Sequence, residues 1–165
     1  YTHAAIWAAM AFAAQGDKVR AWEVLTLINP VNHSLDEDAV DRYQAEPYVI
    51  AADVYAIAPH TGRAGWTWYT GSASWMYQLI VESILGLKRE GSYLRIKPCM
   101  PPHWDNYSMV YHFGTTAYQI IVRRGVGDEA KITIQADDLE VGALGIPLTD
   151  DQQVHRVAVT IVSDL

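Results

Sequence analysis

Between Gly62 and Tyr77 the chain reads GRAGWTWYTGSASWMY, which sets three of its six tryptophans beside glycines, threonines and serines. Flat apolar rings next to hydroxyl and backbone donors suit a polyhydroxylated ligand. Sugar C–H faces lie on indole rings, and a hydroxyl or oxyanion takes the N–H and O–H groups. The same composition also describes a helix packed by aromatics after a glycine loop. Histidines stand at 3, 33, 60, 103, 112 and 155; none forms an i, i+4 pair and no HExxH is present, so no metal site is expected. His3 falls at the edge of a helical stretch, where imidazole and the free N–H groups of the first turn could face an anion; the plain alternative is a polar residue at a chain end. Asp36, Glu37, Asp38 and Asp41 read as the solvated face of a short helix. Glu46 and Asp53 are flanked by apolar residues, and their spacing puts them on one side of a helix, where either could hold sugar hydroxyls. Neither has the surroundings of a catalytic acid. There is no GxSxG, no Ser/His/Asp arrangement and no P-loop, and Arg63 in its glycine loop could meet an anion or simply water.

The elements that must position these residues are predicted as follows. Thr2–Gln15 is alanine-rich and apolar nearly all round, so it reads as a helix buried on several sides, with Thr2 as N-cap and Gly16 as stop. Asp17 caps a second helix through Ile28, ended by Asn29-Pro30 because the residue before proline avoids the helical region. Ser34 with Glu37 forms a capping box for a short helix. EPYVIAADVYAI reads as helical with Pro47 in the tolerated first turn. A last helix spans about Ser72–Leu87, with Lys88 and Arg89 at its C-terminal end. After Gly91 the period falls to two, with strands at Tyr93–Lys97, Tyr107–Phe113, Thr116–Arg123, Lys131–Gln135 and His155–Val162. With no helix between them, antiparallel pairing is expected.

Composition narrows the class. Half of the 165 residues are hydrophobic, enough for a core, and the net charge of −7 without a Lys/Arg cluster argues against nucleic acid. A single cysteine, Cys99, excludes an internal disulfide and a cysteine-based zinc site. No apolar run approaches a membrane span. The sequence starts at Tyr1 without methionine or a signal-type segment, and is expected to be a piece of something longer.

Four segments in order, YTHAAIWAAMAFAAQGD, LINPVNH, EPYVIAADVY and GRAGWTWYTGSASWMY, resemble the end of the catalytic domain of glycoside hydrolase family 94. The resemblance covers most of residues 1–125. That family contains cellobiose, chitobiose and 1,2-β-oligoglucan phosphorylases and the C-terminal region of cyclic β-1,2-glucan synthase, the last being most similar. The resemblance implies an α-then-β chain: residues 1–90 as the last helices of an (α/α)6 barrel, and 91–165 as a small antiparallel β-sandwich domain. It implies an inverting phosphorylase that cleaves β-glucosidic bonds of β-glucan oligosaccharides with inorganic phosphate, giving α-glucose 1-phosphate. Phosphate is a co-substrate, and no cofactor is implied. His3, Thr70 and Gly71 match the family's phosphate-binding positions, and Glu46 a position that contacts the acceptor-side sugar. Trp66, Trp68 and Tyr69 would line or support the pocket.

The family's general acid is an aspartate in a motif upstream of YTH that nothing here matches. No catalytic residue is therefore assigned to this chain, and the isolated chain is predicted to be inactive. Ala64 and Ser74 stand where many relatives of the synthase type carry glycine, which puts subsite geometry in question. Expected partners are the β-linked oligosaccharide, phosphate, the rest of the parent polypeptide and a second copy in a homodimer. The expected location is the cytoplasm, including as a cytoplasmic part of a membrane-bound synthase. Alternatives are a non-catalytic carbohydrate-binding module, a ligand-free structural domain, a related hydrolase, and the glucan-processing region of a cyclic β-1,2-glucan synthase.

Overall fold

The computed structural model describes residues 1–68, 71–127 and 129–162. Helices come first and strands after, in two compact units: 1–85 with 99–101, and 86–98 with 102–162.

In the first unit α1 (Thr2–Ala14) and α2 (Lys18–Ile28) form a tight hairpin. The turn needs Gly16, which sits at φ +79°. Asp17 caps α2 by accepting the Arg20 N–H at 3.0 Å. At the other end LINPVNH closes the helix. Asn29 is extended, as a residue before proline should be, and a 3-10 turn follows at Pro30–His33. The Asn32 amide donates to the Thr26 carbonyl at 2.9 Å, and His33 Nε2 donates to the Leu27 carbonyl at 2.7 Å. Two carbonyls that α2 cannot satisfy internally thereby find donors. His33 also stacks on Tyr43, with ring centroids 4.8 Å apart.

The next helix, α3 (Glu37–Tyr43), is capped by Asp36 rather than by the expected Ser34. The Asp36 carboxylate accepts the Ala39 N–H, while the Ser34 hydroxyl turns back to the Pro30 carbonyl. Residues 46–57 are not a helix. Val49 is buried, Ala51 turns into a small core with Tyr43 and Ala64, and Asp53–Val54 (β1) pairs antiparallel with Ala64–Gly65 (β2). The apolar spacing fits a helix, but the pairing with β2 and the Tyr43 pocket override it. Glu46 and Asp53 consequently do not share a helix face.

After the tryptophan stretch α4 (Ser72–Gln78) passes into a π-helical turn, Leu79–Ile84. Ile6 and Ala9 of α1, Ala21 and Leu25 of α2, Met76, Leu79 and Ile84, with Cys99, make the buried core of this unit. Burying each large aliphatic side chain is worth roughly 1.5–3 kcal/mol. The expectation that α1 is buried on several sides is not met within this chain. Ala4, Trp7, Ala8, Ala11 and Ala14 form an exposed stripe along it, because among the described elements α2, α4 and the π-helical turn, which make the main contacts with the helix, leave that side uncovered.

The second unit begins with β3 (Leu87–Glu90), so Lys88 and Arg89 lie in a strand and not at a helix end. The helix cannot continue because Gly86 is left-handed, and a side chain there would collide with the Lys97–Pro98 peptide. β3, β4 (Tyr93–Ile96) and β9 (Ile146–Pro147) form an antiparallel three-stranded sheet. The larger sheet has the order β5-β6-β10-β7-β8, from β5 (Asn106–Phe113), β6 (Thr116–Arg124), β10 (Val154–Val162), β7 (Lys131–Ala136) and β8 (Leu139–Glu140). The expected all-antiparallel pairing is corrected at one place: β10 runs parallel to β6, with Val157 opposite Ile120. The chain between them is long enough for a crossover, which parallel neighbours require. Tyr118, Ile120, Val122, Val157, Val159 and Ile161 fill the inner face, with Leu94, Ile96 and Ile146 from the smaller sheet also buried.

Candidate functional site

His3 is on the first turn of α1, half-buried in an aromatic cage. Its ring stands edge-on to Trp7 at 5.1 Å and lies 6.1 Å from Trp75, and the two indoles meet at 88°. The Tyr1 hydroxyl is 3.3 Å from His3 Nδ1. On the far side the imidazole faces Gly71, where a Cβ would come within 3.1 Å of His3 Cε1 and 3.9 Å of Nε2. Nε2 makes no hydrogen bond among the described residues. Thus His3 and Gly71, 68 positions apart, are neighbours, and the absence of a side chain at 71 is what lets the ring approach the backbone. Thr70 and Tyr69 lie outside the described residues.

Backbone hydrogen bonds tie this corner to the tryptophan stretch. The N–H of Thr2, one residue before His3, donates to the Ala52 carbonyl at 2.9 Å, and the Ala52 N–H donates to the Trp66 carbonyl at 3.1 Å. Trp68 donates its indole N–H to Glu46 Oε1 at 2.9 Å and meets Tyr48 in a T-shaped contact. That indole N–H, with a backbone hydrogen bond, holds the Glu46 carboxyl below its ordinary value, so it is a carboxylate near neutrality. Trp66 and Trp68 are 69% and 71% exposed. Both also adopt left-handed backbone, at φ 55° and 67°. For bulky side chains that conformation costs roughly 1–3 kcal/mol each, and such strain concentrates at functional sites. Glu46 and Trp68 form one pair and His3 and Gly71 another, with Trp66 linked to the second through Ala52. Of the two residues that depart from the glycine pattern, Ala64 is buried in β2 and Ser74 is exposed on α4.

Tyr1, Trp7 and Trp75, which frame His3, were not singled out as site residues from the sequence. One signal was available, since His3 and Trp7 are four apart and share a helix face. Among the described residues no group of three His, Cys, Asp or Glu side chains is placed to hold a metal ion, and no helix is long and apolar enough to cross a membrane.

A second histidine cluster lies in the β unit. His155 on β10 reaches Asp137 Oδ2 through Nδ1 at 2.6 Å and Asp151 Oδ2 through Nε2 at 3.1 Å, and stacks on Tyr118 at 5.0 Å. Its hydrogen bond to Asp137 raises the His155 pKa, against a smaller opposing effect of burial. The His155 hydrogen bond likewise lowers that of Asp137, assisted by the Arg156 N–H. For Asp151 desolvation pushes upward, but the Gln153 N–H, the Thr116 hydroxyl and His155 together hold its carboxyl low. Every polar atom of this imidazole is taken.

The sequence pattern of the glycosyl hydrolase 94 superfamily catalytic domain matches residues 1–86. The chain belongs to this superfamily. It is 46% identical over 124 residues, 75% of its length, to the cyclic beta-(1,2)-glucan synthase NdvB of Rhizobium meliloti (strain 1021). It is 28% identical, over 98% of its length, to the cellobionic acid phosphorylase of Neurospora crassa. To the N,N'-diacetylchitobiose phosphorylase of Vibrio furnissii it is 29% identical over 77%. The chain spans only 4%, 20% and 16% of these glycosyl hydrolase 94 relatives, respectively.

Proposed function

We propose that this chain is the C-terminal part of the catalytic region of a longer inverting glycoside phosphorylase acting on β-linked gluco-oligosaccharides. The observation that carries the reading is the apposition of His3 and Gly71, two residues from motifs at opposite ends of the matched region. In this mechanism a phosphate oxygen attacks C1 of the glucosyl residue from the face opposite the glycosidic oxygen. The C1–O bond to the neighbouring sugar breaks, and that oxygen takes a proton from a general acid supplied by a preceding part of the polypeptide. The products are α-glucose 1-phosphate and a sugar shortened by one residue. Inorganic phosphate is already anionic and nucleophilic, so a carboxylate base is unnecessary and would repel it. What the reaction requires is a set of fixed donors holding the anion in line with C1.

His3 supplies one of these. With the Tyr1 hydroxyl donating to Nδ1, the imidazole proton sits on Nε2, on the side of Gly71. The Gly71 N–H and the Thr70 hydroxyl are the other donors. Trp7 and Trp75 keep the ring from turning. Glu46, oriented by the Trp68 indole, accepts hydroxyls of the acceptor-side sugar, while Trp66, Trp68 and Tyr69 shape the pocket. The exposed apolar stripe on α1 is the surface on which the remaining barrel helices pack, since a contiguous apolar strip of this kind is otherwise left to water. The β unit is a domain that follows the barrel.

The test uses the full-length protein with β-1,2-gluco-oligosaccharides, cellobiose and chitobiose in turn, with and without phosphate, and measures sugar 1-phosphate. Phosphate-dependent formation of the α-anomer from one of them is expected, and identifies the linkage. Free sugar released at the same rate with or without phosphate would make the protein a hydrolase and overturn the reading.

A further inference from the structure

Beside the proposed reaction site, the β1–β2 hairpin carries a pocket of about 440 Å³ lined by Tyr55, Ile57, His60, Arg63, Ala64, Gly65 and Trp66. Its frame is fixed. The Tyr55 N–H donates to the Arg63 carbonyl at 2.9 Å, the Gly62 N–H to the Tyr55 carbonyl at 2.8 Å, and Asp53 and Val54 pair with Gly65 and Ala64. Gly65 is needed there because a Cβ would come within 2.6 Å of the Tyr55 hydroxyl, so the phenol lies directly on the backbone of β2. Two aromatic rings, one of them the largely exposed Trp66, thus stand with an arginine and an imidazole around one depression. Ring faces for sugar C–H groups, and a fork of N–H donors with an imidazole for hydroxyls, are what a hexose requires.

We propose that this pocket is a second glucosyl subsite, holding a sugar farther along the substrate chain than the one on Glu46 and Trp68. The proposal takes from the phosphorylase reading only that the ligand is a β-linked gluco-oligosaccharide. Its distance from the phosphate donors suits the role. Two successive backbone hydrogen bonds, Thr2 to Ala52 and Ala52 to Trp66, separate it from the start of α1. At strand-like spacing that is on the order of 10 Å, the reach of a short oligosaccharide and not of one sugar. Trp66 and Trp68 then serve different sugars, which accounts for two exposed indoles on the same short segment. Arg63, His60 and Tyr55 become determinants of chain-length preference.

Calorimetric binding of a β-linked glucotetraose and of the disaccharide of the same linkage to the full-length protein, without phosphate, tests this. Arg63→Ala and His60→Ala are compared with the parent; both side chains are exposed. The tetrasaccharide should lose about tenfold in affinity in Arg63→Ala, and severalfold in His60→Ala, with a smaller loss for the disaccharide. Equal losses for the two sugars, or none in either variant, would overturn the subsite. Sugar 1-phosphate measured on the same preparations keeps the two claims apart. A length-dependent loss of binding without any sugar 1-phosphate supports the subsite and contradicts phosphorolysis. Phosphorolysis with length-independent binding contradicts the subsite alone.

Discussion

His3 and His155 sit in different units and show two uses of one side chain. His155 has a carboxylate on each nitrogen and a phenol ring on its face. It has no valence left for a ligand, and its work is to join the turn after β7 to the loop before β10. His3 is framed instead by rings and a single phenol; its Cε1 edge faces a glycine, and its Nε2 makes no hydrogen bond among the described residues. An imidazole surrounded by acids is already charge-balanced. One surrounded by aromatics, with a ring nitrogen unpaired among the described residues, is the arrangement that the proposed function uses to meet an anion. The difference lies in the neighbours, and under the proposed function it separates a structural histidine from a binding one without reference to either one's position in the chain.

The largest expected effect comes from filling the space that distinguishes His3. Gly71 has ordinary helical backbone angles (φ −68°, ψ −14°), so Gly71→Val should fold, yet its side chain would occupy the space of the His3 ring. Displacing one positioned group by about 1 Å costs on the order of 100-fold. In the full-length protein kcat/KM for phosphate should fall by about that factor, with the melting temperature little changed. A variant with normal phosphate kinetics would show that the His3–Gly71 contact has no part in phosphate binding.

Glu46→Gln is the next test. The amide can still accept the Trp68 N–H but has lost the charge that strengthens bonds to sugar hydroxyls. The KM for the acceptor sugar in the synthetic direction should rise by roughly fivefold to tenfold, with KM for phosphate unaffected. An effect on phosphate alone would mean that Glu46 belongs to the other subsite.

His155 should give the smallest effect, and one on stability. Its folded pKa is raised, so its contribution is fully present below about pH 6.5, the ordinary value, and disappears as pH rises through the folded pKa. Asp137 and Asp151 are lowered, so their part is present above the ordinary carboxylate range and is lost as pH falls through their folded values. The clamp therefore works in the mildly acidic window between these limits. With Asp137 half exposed, the His155–Asp137 pair is worth about 1 kcal/mol at most. Amide exchange at Asp137 and Arg156 should quicken as pH rises above about 6.5, beyond the intrinsic base-catalysed trend. His155→Gln should remove that excess, and an unchanged pH profile in the variant would refute the clamp.

How much of this was legible in the sequence depends on how local the cause was. Asp17, Gly16 and Asn29-Pro30 act on adjacent residues, and the α1–α2 hairpin follows from them directly. The alternation of Tyr107, Met109, Tyr111 and Phe113 gave β5 for the same reason. Residues 46–57 have a helical apolar period, but Ala51 is claimed by the core with Tyr43 and Ala64, and Asp53 and Val54 by pairing with β2, which no short window contains. The parallel partnership of β6 and β10 is set by strands that intervene between them. At the site, the resemblance of the ordered motifs to the family is what named His3 and Gly71. Their framing by Trp7 and Trp75, and the Tyr55–Arg63 pocket, depend on chain reversals that only the folded chain displays.

The account stands or falls on whether His3 serves phosphate. The most direct measurement is the initial rate of sugar 1-phosphate formation by the full-length protein as a function of phosphate concentration, for the parent, His3→Ala and His155→Ala side by side. Loss of one preorganised oxyanion donor is worth roughly 100-fold. His3→Ala should show that drop in kcat/KM for phosphate, with His155→Ala superimposable on the parent. Equal behaviour of the two variants, or a rate in the parent that does not depend on phosphate, would contradict it.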